Sequence, residues 1–420
     1  MLALEFIRQN IDQVRRAIEH KGVTVDLDSI LALDAKLRSA RTRLDALRSD
    51  RNRRSSGRGG TSATKAVPED DRGTVLRAEI KALQQEVTDT KHRLDELLLW
   101  VPNLPWQGAP VGPNGSTNTV VRREGRPPVF TFPAKTHIEL IERNGWADLT
   151  RVTKVCGTRT YCLRGRLALL EQALLWHACK RLASDGFTLL SVPGLARREA
   201  FVASGHFPFG QDDAFELPRD RLLLAGTAEV VLNSLHAGEI LQDDDLPLLY
   251  AGFSPCFRRE AGSAGRDVRG LLRVHQFYKV EQFVICRNDV EASAQWHARL
   301  LANAEGILRD LELPYQVVEC STGDMGVGKY RMNDIETWIP SLEQYRETHS
   351  CSTLHEWQAR RTNVRYRDRS GRVRFVHTLN NTAIATPRIL VPLLENHQRV
   401  DGRVQLPKSL RGYFDGDAWL

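Results

Sequence analysis

Hydrophobic residues near the start of the chain recur at steps of three and four, which is the spacing of one face of an α-helix. Two such runs, over residues 30–47 and 76–97, follow the heptad pattern of a coiled-coil seam. The segment between them is rich in glycine and serine at residues 55–62, and Pro68 suits the beginning of the second helix. We therefore predict that residues 1–105 form an antiparallel helical hairpin, with an arm roughly 40 Å long at about 1.5 Å per residue.

The pattern changes after the hairpin. Residues 106–133 are rich in proline, glycine and asparagine, which predicts a linker. From residue 134 onward, helical and strand-like segments mix, and the β-rich runs follow one another through hairpin-like turns such as residues 369–371. The strand candidates are residues 161–163, 189–192, 222–225, 255–259, 275–284, 316–319, 334–338, 343–350, 363–367 and 373–379. This succession favours a mainly antiparallel β-sheet flanked by helices over residues 134–420, so the expected fold class is α+β.

The bulk composition narrows the class of protein. The 420 residues are 41% hydrophobic and 26% charged, which is ordinary for a soluble protein of more than one domain. No signal peptide is evident at the start, and no apolar run approaches the roughly 20 residues that cross a bilayer. The seven cysteines are odd in number and none forms a CxxC pair, which argues against a disulfide framework and a zinc ribbon. We expect a cytoplasmic protein without a membrane partner.

Positive charge is concentrated in the first helix of the hairpin. The chain carries a net charge of +7 and a pI near 9.1, and basic side chains release counterions from a phosphate backbone. The basic residues toward the tip are Lys36, Arg38, Arg41, Arg43, Arg48, Arg51, Arg53, Arg54 and Arg58. Most charge runs are solvated faces, but a long arm that becomes more basic toward its end suits contact with RNA. The candidate RNA contacts are Arg41, Arg48, Arg51 and Arg54.

A strand–loop–strand pattern could hold a nucleotide. FRRE at residues 257–260 and RVHQF at residues 273–277 flank a glycine-rich loop. The arginines would meet phosphates with forked donors, and the phenyl ring would stack on a base. Judged by residue types alone, an ordinary charged hairpin is the simpler explanation. The common glycine motifs of nucleotide-binding folds, GxGxxG and GxxxxGK[ST], do not occur.

The full strings resemble the signature of a known family. FRRE followed by GRDVRGLLRVHQFYKVEQF resembles motif 2 of the class II aminoacyl-tRNA synthetases, in the form found in the seryl-tRNA synthetase family. Residues 186–193, with Pro193, resemble motif 1, and residues 380–388 resemble motif 3. The family's Thr-x-Glu element has a counterpart in TAE at residues 227–229. Its stretch between motifs 2 and 3 has counterparts in RETHSCS at residues 346–352 and QARR at residues 358–361. The N-terminal arm resembles the family's basic tRNA-binding hairpin. Motif 1 alone is weak, but motif 2, Thr-x-Glu and motif 3 in this order are specific.

The resemblance implies an activity and its partners. Such an enzyme activates L-serine with ATP and Mg²⁺ to seryl-adenylate and transfers serine to the 3′ end of tRNA(Ser), and also to tRNA(Sec) where one exists. The family forms homodimers through motif 1, and no DNA partner is implied. The implied serine pocket has Glu281 at the ammonium group, and its residues are Thr227, Ala228, Glu229, Arg258, Glu281, Asn380 and Thr382. Asn380 and Thr382 would meet the hydroxyl group, and a pocket that hydrogen-bonds a hydroxyl rejects alanine and glycine.

The resemblance also implies the ATP site. Arg258 would contact the α-phosphate, Phe277 would stack on adenine, and Glu260 would read its amino edge. Arg273 and Arg388 would hold the γ-phosphate end. The implied ATP contacts are Arg258, Arg259, Glu260, Arg273, Val274, Phe277, Glu347, Thr348, His349, Ser350 and Arg388, of which Arg258, Arg388 and Glu347 are the catalytic candidates. Glu347 and Ser350 would coordinate Mg²⁺ through the hard oxygen ligands that this ion prefers.

Two alternatives remain open at this point. A paralogue could make seryl-adenylate for a biosynthetic or antibiotic-resistance pathway, but an intact arm favours tRNA as the acceptor. A non-catalytic RNA-binding regulator would have lost catalytic residues, and Arg258, Glu260 and Arg388 are all present. Arg259 departs from the family, which commonly has a small residue there, and the hairpin tip is unusually rich in glycine and serine.

Overall fold

The computed structural model describes residues 1–56, 71–262 and 269–420. Within these ranges the chain forms two compact units. One contains residues 2–19 and 23–102, and the other contains residues 1, 20–22 and 103–420. Most of the predicted hairpin turn, including Arg58, and the predicted helix start at Pro68 lie outside the described residues. No helix in the described part of the chain is both long enough and apolar enough to cross a membrane.

The N-terminal unit is built on a helical hairpin. The helices described before residue 100 are α1 (Leu4–Gln9), α2 (Ile11–His20), α3 (Leu27–Ser56) and α4 (Asp71–Leu98). Arg43 pairs with Glu79 at 2.6 Å and Lys36 pairs with Glu86 at 3.1 Å. A later residue of α3 thus pairs with an earlier residue of α4, so the two helices run in opposite directions. The apolar seam between the helices contains Ala40, Leu44, Leu76, Ile80 and Leu83. The predicted antiparallel hairpin is confirmed, because burying these heptad positions requires the two helices to face each other.

Helix α3 carries the basic candidates of the arm. Its 30 residues correspond to about 45 Å. Arg41 and Arg51 are exposed, and Arg48 lies 3.8 Å from Asp45 on its own helix. Arg54 belongs to α3, but its side chain is outside the described part of the chain. Contact of these residues with RNA stays a prediction.

The second unit contains the β-sheet. Its strands are β1 (Thr119–Glu124), β2 (Thr188–Ser191), β3 (Leu195–Ala196), β4 (Phe215–Leu217), β5 (Leu222–Leu224), β6 (Ile240–Gln242), β7 (Leu248–Phe257), β8 (Gln276–Cys286), β9 (Tyr315–Glu319), β10 (Arg331–Ile339), β11 (Gln344–His355), β12 (Arg365–Arg367), β13 (Val373–Phe375) and β14 (His377–Thr386). Its helices are α5 (His137–Asn144), α6 (Leu149–Cys156), α7 (Arg166–Ser184), α8 (Arg198–Ser204), α9 (Glu229–Leu232), α10 (Val290–Asp310), α11 (Ala359–Thr362) and α12 (Leu390–Asn396).

The main sheet is largely antiparallel. Among the described residues its strand order is β1-β9-β10-β11-β14-β8-β7-β2, and only the pair β2–β7 is parallel. Two further sheets of three strands each have the orders β13-β12-β6 and β3-β5-β4. The predicted α+β class, with a mainly antiparallel sheet and flanking helices, is confirmed.

Three details of the sequence prediction were wrong. Residues 106–133 are not simply a linker, because they contain β1, which pairs with β9 at the edge of the main sheet. Every residue of β1 is exposed, so it lacks the alternation that signals a strand. Residues 161–163 form no strand, and only Leu163 makes an isolated bridge. Residues 373–379 contain two strands, β13 and the start of β14.

Helices α7 and α10 pack against one face of the main sheet. An N-cap begins α10, where the Asp289 side chain accepts a hydrogen bond from the Ala292 amide. The core between these helices and the sheet includes Leu170, Leu174, Leu300, Ile307, Val280, Val284, Leu379 and Ala383. Side chains alternate along a strand, so the residues between these positions on β8 and β14 lie on the opposite face. That face carries the polar site.

Candidate active site

The floor of the site is formed by two neighbouring inner strands of the main sheet. Strands β8 and β14 are antiparallel neighbours, and Thr382 lies opposite Glu281. Phe277, Lys279 and Glu281 occupy alternate positions of β8 and therefore share one face. The sequence of side chains along this face runs from an aromatic ring through a cation to a buried carboxylate.

An open cavity lies over the nucleotide end of this floor. Its polar and aromatic lining consists of Arg258, Glu260, Arg273, Phe277, Lys279, Glu347, Thr348, Thr382, Thr386 and Arg388. The remaining lining residues are Leu271, Leu272, Val274, Ala385 and Pro387. All three catalytic candidates therefore surround one cavity, although the chain segments that carry them are separated by up to 130 residues. The centre of the predicted glycine-rich loop, residues 263–268, lies outside the described ranges.

Three guanidinium groups surround the cavity. The Arg258 guanidinium carbon lies 5.3 Å from the centroid of the Phe277 ring. Arg388 donates to the Leu272 carbonyl at 3.2 Å, and its Nη1 lies 3.8 Å from the Glu347 carboxylate. Arg273 pairs with Glu260 at 2.6 Å. Forked cations beside an aromatic ring form a suitable environment for a nucleotide with several phosphates.

The serine-side candidates are buried. Glu281 is 2% exposed, and Lys279 makes an ion pair with it. Lys279 Nζ also donates to Thr227 Oγ1 at 2.7 Å, and Thr227 Oγ1 donates to Glu281 Oε2 at 3.4 Å. Burial raises the pKa of Glu281, and the Lys279 ammonium opposes that rise. Glu281 is therefore a carboxylate whose charge depends on its neighbours.

Glu229 lies in the same polar cluster. Gln358 Nε2 donates to its Oε1 at 2.7 Å, and the Lys329 ammonium lies 3.7 Å from the same oxygen. Burial alone would raise the pKa of Glu229, but Lys329, His206 and the Gln358 hydrogen bond offset it and leave the pKa below its usual value. Glu229 is thus anionic at neutral pH. Ala228, immediately before it, is almost fully buried at the start of α9.

Asn380 provides a hydrogen-bond donor at the floor. It lies two positions before Thr382 on β14 and is 3% exposed. Its Nδ2 atom is buried and has no hydrogen-bond partner within the described part of the chain. Buried hydrogen-bond donors nearly always have an acceptor. The Asn380 amide is therefore well placed to donate to a polar group of a bound ligand.

Three predicted ATP contacts, Arg259, His349 and Ser350, are not among the residues that line the cavity. Arg259 is exposed, because its neighbour Arg258 takes the inward position, and its amide donates to the Asp213 carbonyl. His349 is buried, with Nδ1 at 2.9 Å from Thr348 Oγ1 and Nε2 at 3.1 Å from the Ala383 carbonyl. Burial lowers the pKa of His349 to about 4, so the ring is neutral and occupied with structural hydrogen bonds.

The predicted metal ligands lie near a carboxylate that the sequence did not reveal. Glu347 lines the cavity, while Ser350 hydrogen-bonds to Asp334. Burial, and then the nearby Glu347 charge, raise the pKa of Asp334 well above its usual value. Asp334 Oδ1 is buried without a hydrogen-bond partner among the described residues. Three clustered oxygen-bearing side chains, one with an orphaned oxygen, fit a hard divalent cation.

Sequence reasoning missed Lys279, Lys329 and Asp334. Lys279 could have been found, because strand alternation places it on the same face as Phe277 and Glu281. Lys329 and Asp334 gave no comparable signal. Both residues lie about 100 positions after Glu229 in the sequence. They approach the site residues only because the chain folds back on itself.

Comparison with known proteins places the chain in a family. Residues 1–105 match the model of the seryl-tRNA synthetase N-terminal domain, and residues 214–397 match the class II core domain of tRNA synthetases (G, H, P, S and T). A serine–tRNA ligase of Deinococcus radiodurans is 53% identical over 421 residues, which cover 99% of this chain and 98% of the relative. The chain belongs to the seryl-tRNA synthetase family.

Solved seryl-tRNA synthetase structures share the same fold. The enzyme of Pyrococcus horikoshii, crystallised with ATP, superposes with a TM-score of 0.92 at 38% identity and covers 99% of this chain and 98% of its own. The cytoplasmic enzyme of Naegleria fowleri, in complex with AMP, has a TM-score of 0.87 at 27% identity, with 99% and 96% coverage. This member of the seryl-tRNA synthetase family is therefore similar to its relatives along its full length.

Proposed function

We propose that this protein is an ATP-dependent serine–tRNA ligase, which forms seryl-adenylate and transfers serine to the 3′ end of tRNA(Ser). The observation that carries the proposal is the convergence of Arg258, Phe277, Glu347 and Arg388 on one cavity beside the buried Glu281. The names of the relatives, and the nucleotides bound to two of them, support the same assignment. The family resemblance extends the acceptor to tRNA(Sec) where the organism has one.

The first step needs positioning more than acid–base chemistry. The serine carboxylate is already ionised at neutral pH. It attacks the α-phosphorus of ATP, a carboxylate O–P bond forms, and the bond to pyrophosphate breaks. Arg258 at the α-phosphate and Arg388 toward the γ-phosphate stabilise the charge that develops on the phosphate oxygens. No residue has to remove a proton in this step.

The pocket beside the phosphates holds the rest of the amino acid. Glu281 binds the ammonium group, while Thr382 and the orphaned Asn380 amide bind the hydroxyl. Alanine or glycine would leave these buried groups unpaired, which costs binding free energy. Glu347, Ser350 and Asp334 would hold Mg²⁺, which supplies further charge neutralisation on the phosphates when it is bound.

The second step joins serine to RNA. The terminal 3′-hydroxyl group of tRNA attacks the carbonyl carbon of seryl-adenylate, the C–O bond to AMP breaks, and AMP leaves. The hydroxyl proton is released to solvent as the ester forms. In this proposal the basic arm, with Arg41, Arg48, Arg51 and Arg54, binds the tRNA backbone.

Two assays on the purified full-length protein test the proposal. Serine-dependent ATP–pyrophosphate exchange should be present, should require Mg²⁺ and should disappear with EDTA. Purified tRNA(Ser) should then be charged with serine, and a tRNA(Sec) transcript tests the wider acceptor range. Exchange without charging would select the biosynthetic paralogue, and absence of both activities would select the non-catalytic RNA-binding regulator.

We also infer that the protein is a homodimer. Among the described residues β2 is an edge strand of the main sheet, and an edge strand can pair with another chain. Trp176 is 52% exposed and Leu189 is 37% exposed, and both line a groove together with Leu175, Leu190 and Phe253. The resemblance of residues 186–193 to motif 1 makes a second copy of the chain the expected occupant.

Light scattering after size exclusion tests the dimer. The wild-type protein should have about twice the 47.5 kDa mass of one chain. Trp176→Glu should weaken dimerisation at least about a hundredfold, because a buried interface tryptophan is typically an energetic anchor. Val400→Glu is a control at another exposed apolar residue, 71% exposed. A wild-type mass of one chain at micromolar concentration would contradict the inference.

A further inference from the structure

Lys279 lies between the nucleotide cavity and the serine pocket. It is 5% exposed, lines the cavity, and occupies the position between Phe277 and Glu281 on the site face of β8. Its ammonium group donates to Thr227 Oγ1 at 2.7 Å and makes the ion pair with Glu281. A single buried cation thus contacts two of the side chains assigned to the serine ammonium end.

The charge balance around Glu281 makes this cation important. Glu229 on α9 adds a second negative charge, and Lys329, in the loop between β9 and β10, adds a more distant positive one. The strand neighbours Gly252 on β7 and Thr382 on β14 carry no charge. A carboxylate buried beside another carboxylate takes up a proton unless a cation compensates. Among the residues that the structure describes, Lys279 is the cation that pairs directly with Glu281.

Protonation of Glu281 would remove the attraction for serine. A neutral carboxylic acid cannot balance the charge of an ammonium group in a buried pocket. Thr227 would also lose its anchor, because its hydroxyl accepts from Lys279 and donates to Glu281. Both consequences concern the amino acid. The groups assigned to ATP have other partners among the described residues: the Phe277 ring lies under Arg258, and Arg388 donates to the Leu272 carbonyl.

We propose that Lys279 is a positioning residue for serine, which keeps Glu281 charged and Thr227 oriented so that the pocket accepts the substrate's ammonium group. This inference rests on the proposed function and deepens it. A competing possibility makes the opposite prediction. If Lys279 merely occupied the place of the serine ammonium group, its removal would strengthen serine binding.

The experiment measures pyrophosphate exchange by Lys279→Met at pH values from 6 to 8.5, with serine and ATP varied separately. The KM for serine at pH 7 should rise at least about tenfold, because an adjacent opposite charge shifts a carboxyl pKa by about one unit or more. That KM should fall as pH rises, approaching tenfold per pH unit where Glu281 titrates. The KM for ATP should change less than about threefold, since adenine stacking and phosphate contacts remain.

Variants of the same chain separate this role from simple loss of structure. Lys180→Met removes a lysine whose ammonium lies 5.1 Å from the Tyr413 ring, away from the site residues, and should leave both KM values unchanged. Lys279→Arg should restore much of the serine affinity, because it returns the charge. Lys279→Met combined with Glu281→Gln should bind serine poorly at every pH, since the titrating carboxylate is gone.

The outcomes distinguish this inference from the proposed function. A wild-type protein without serine-dependent exchange would refute the function itself. An active wild type whose Lys279→Met variant has an unchanged or lower KM for serine would overturn only the role of Lys279. So would a KM for serine that is raised equally at all pH values, or a KM for ATP that rises as much as that for serine.

Discussion

Arg258→Ala is expected to slow serine-dependent pyrophosphate exchange about a thousandfold, the loss typical when one donor that stabilises transition-state charge is removed. The Arg258 guanidinium lies over the Phe277 ring and lines the cavity, where the α-phosphate is expected. The charge on the phosphate oxygens changes as the serine carboxylate attacks, so the loss should fall mainly on kcat. Serine binding through Glu281, measured by calorimetry, should weaken less than about tenfold.

The adjacent residue provides the matched control. Arg259 has the same side chain and also lies just after the end of β7, but it is exposed and is not among the residues that line the cavity. Arg259→Ala should therefore retain exchange within about threefold, as expected of a surface substitution. Exchange at a near wild-type rate in Arg258→Ala, or an equal loss in both variants, would contradict the role assigned to Arg258.

The fold could be predicted from the sequence where local patterns decide the structure. The heptad positions of α3 and α4 have a single efficient way to become buried, so the hairpin followed directly from their spacing. Strand β1 shows the limit of this reasoning. Its six residues are all exposed, and it is a strand because its backbone pairs with β9, which is a long-range cause that local sequence does not contain.

The same limit applies within the site. The family motifs led to Arg258, Phe277 and Arg388, and strand alternation could have added Lys279. Asp334 could not have been found in this way, because it contacts Ser350 across the β10–β11 pair. A motif marks a segment but does not say which of its side chains points inward.

Reversing two charges on the arm is expected to lower tRNA charging about a hundredfold while exchange stays within about twofold of wild type. Arg41 and Arg51 are exposed on α3, so Arg41→Glu with Arg51→Glu should disturb the helix little and should repel an RNA backbone. Exchange needs only serine, ATP and the cavity, whereas charging also needs bound tRNA. The two assays therefore separate the arm from the active site in one protein.

The matched control replaces two other arginines of the N-terminal unit with glutamate, so the change in net charge is the same. Arg15→Glu with Arg16→Glu alters two exposed arginines of α2, which precedes the arm. This variant should charge tRNA within about threefold of wild type, because general electrostatic attraction is screened over roughly 8 Å at physiological salt. The Arg41→Glu, Arg51→Glu variant, in contrast, should lose two phosphate contacts. A plot of log K for tRNA binding against log salt concentration should therefore become less steep, with a slope smaller by about 1.5. If both double variants lose charging equally, net charge rather than the arm attracts the RNA, and the assignment of Arg41 and Arg51 fails.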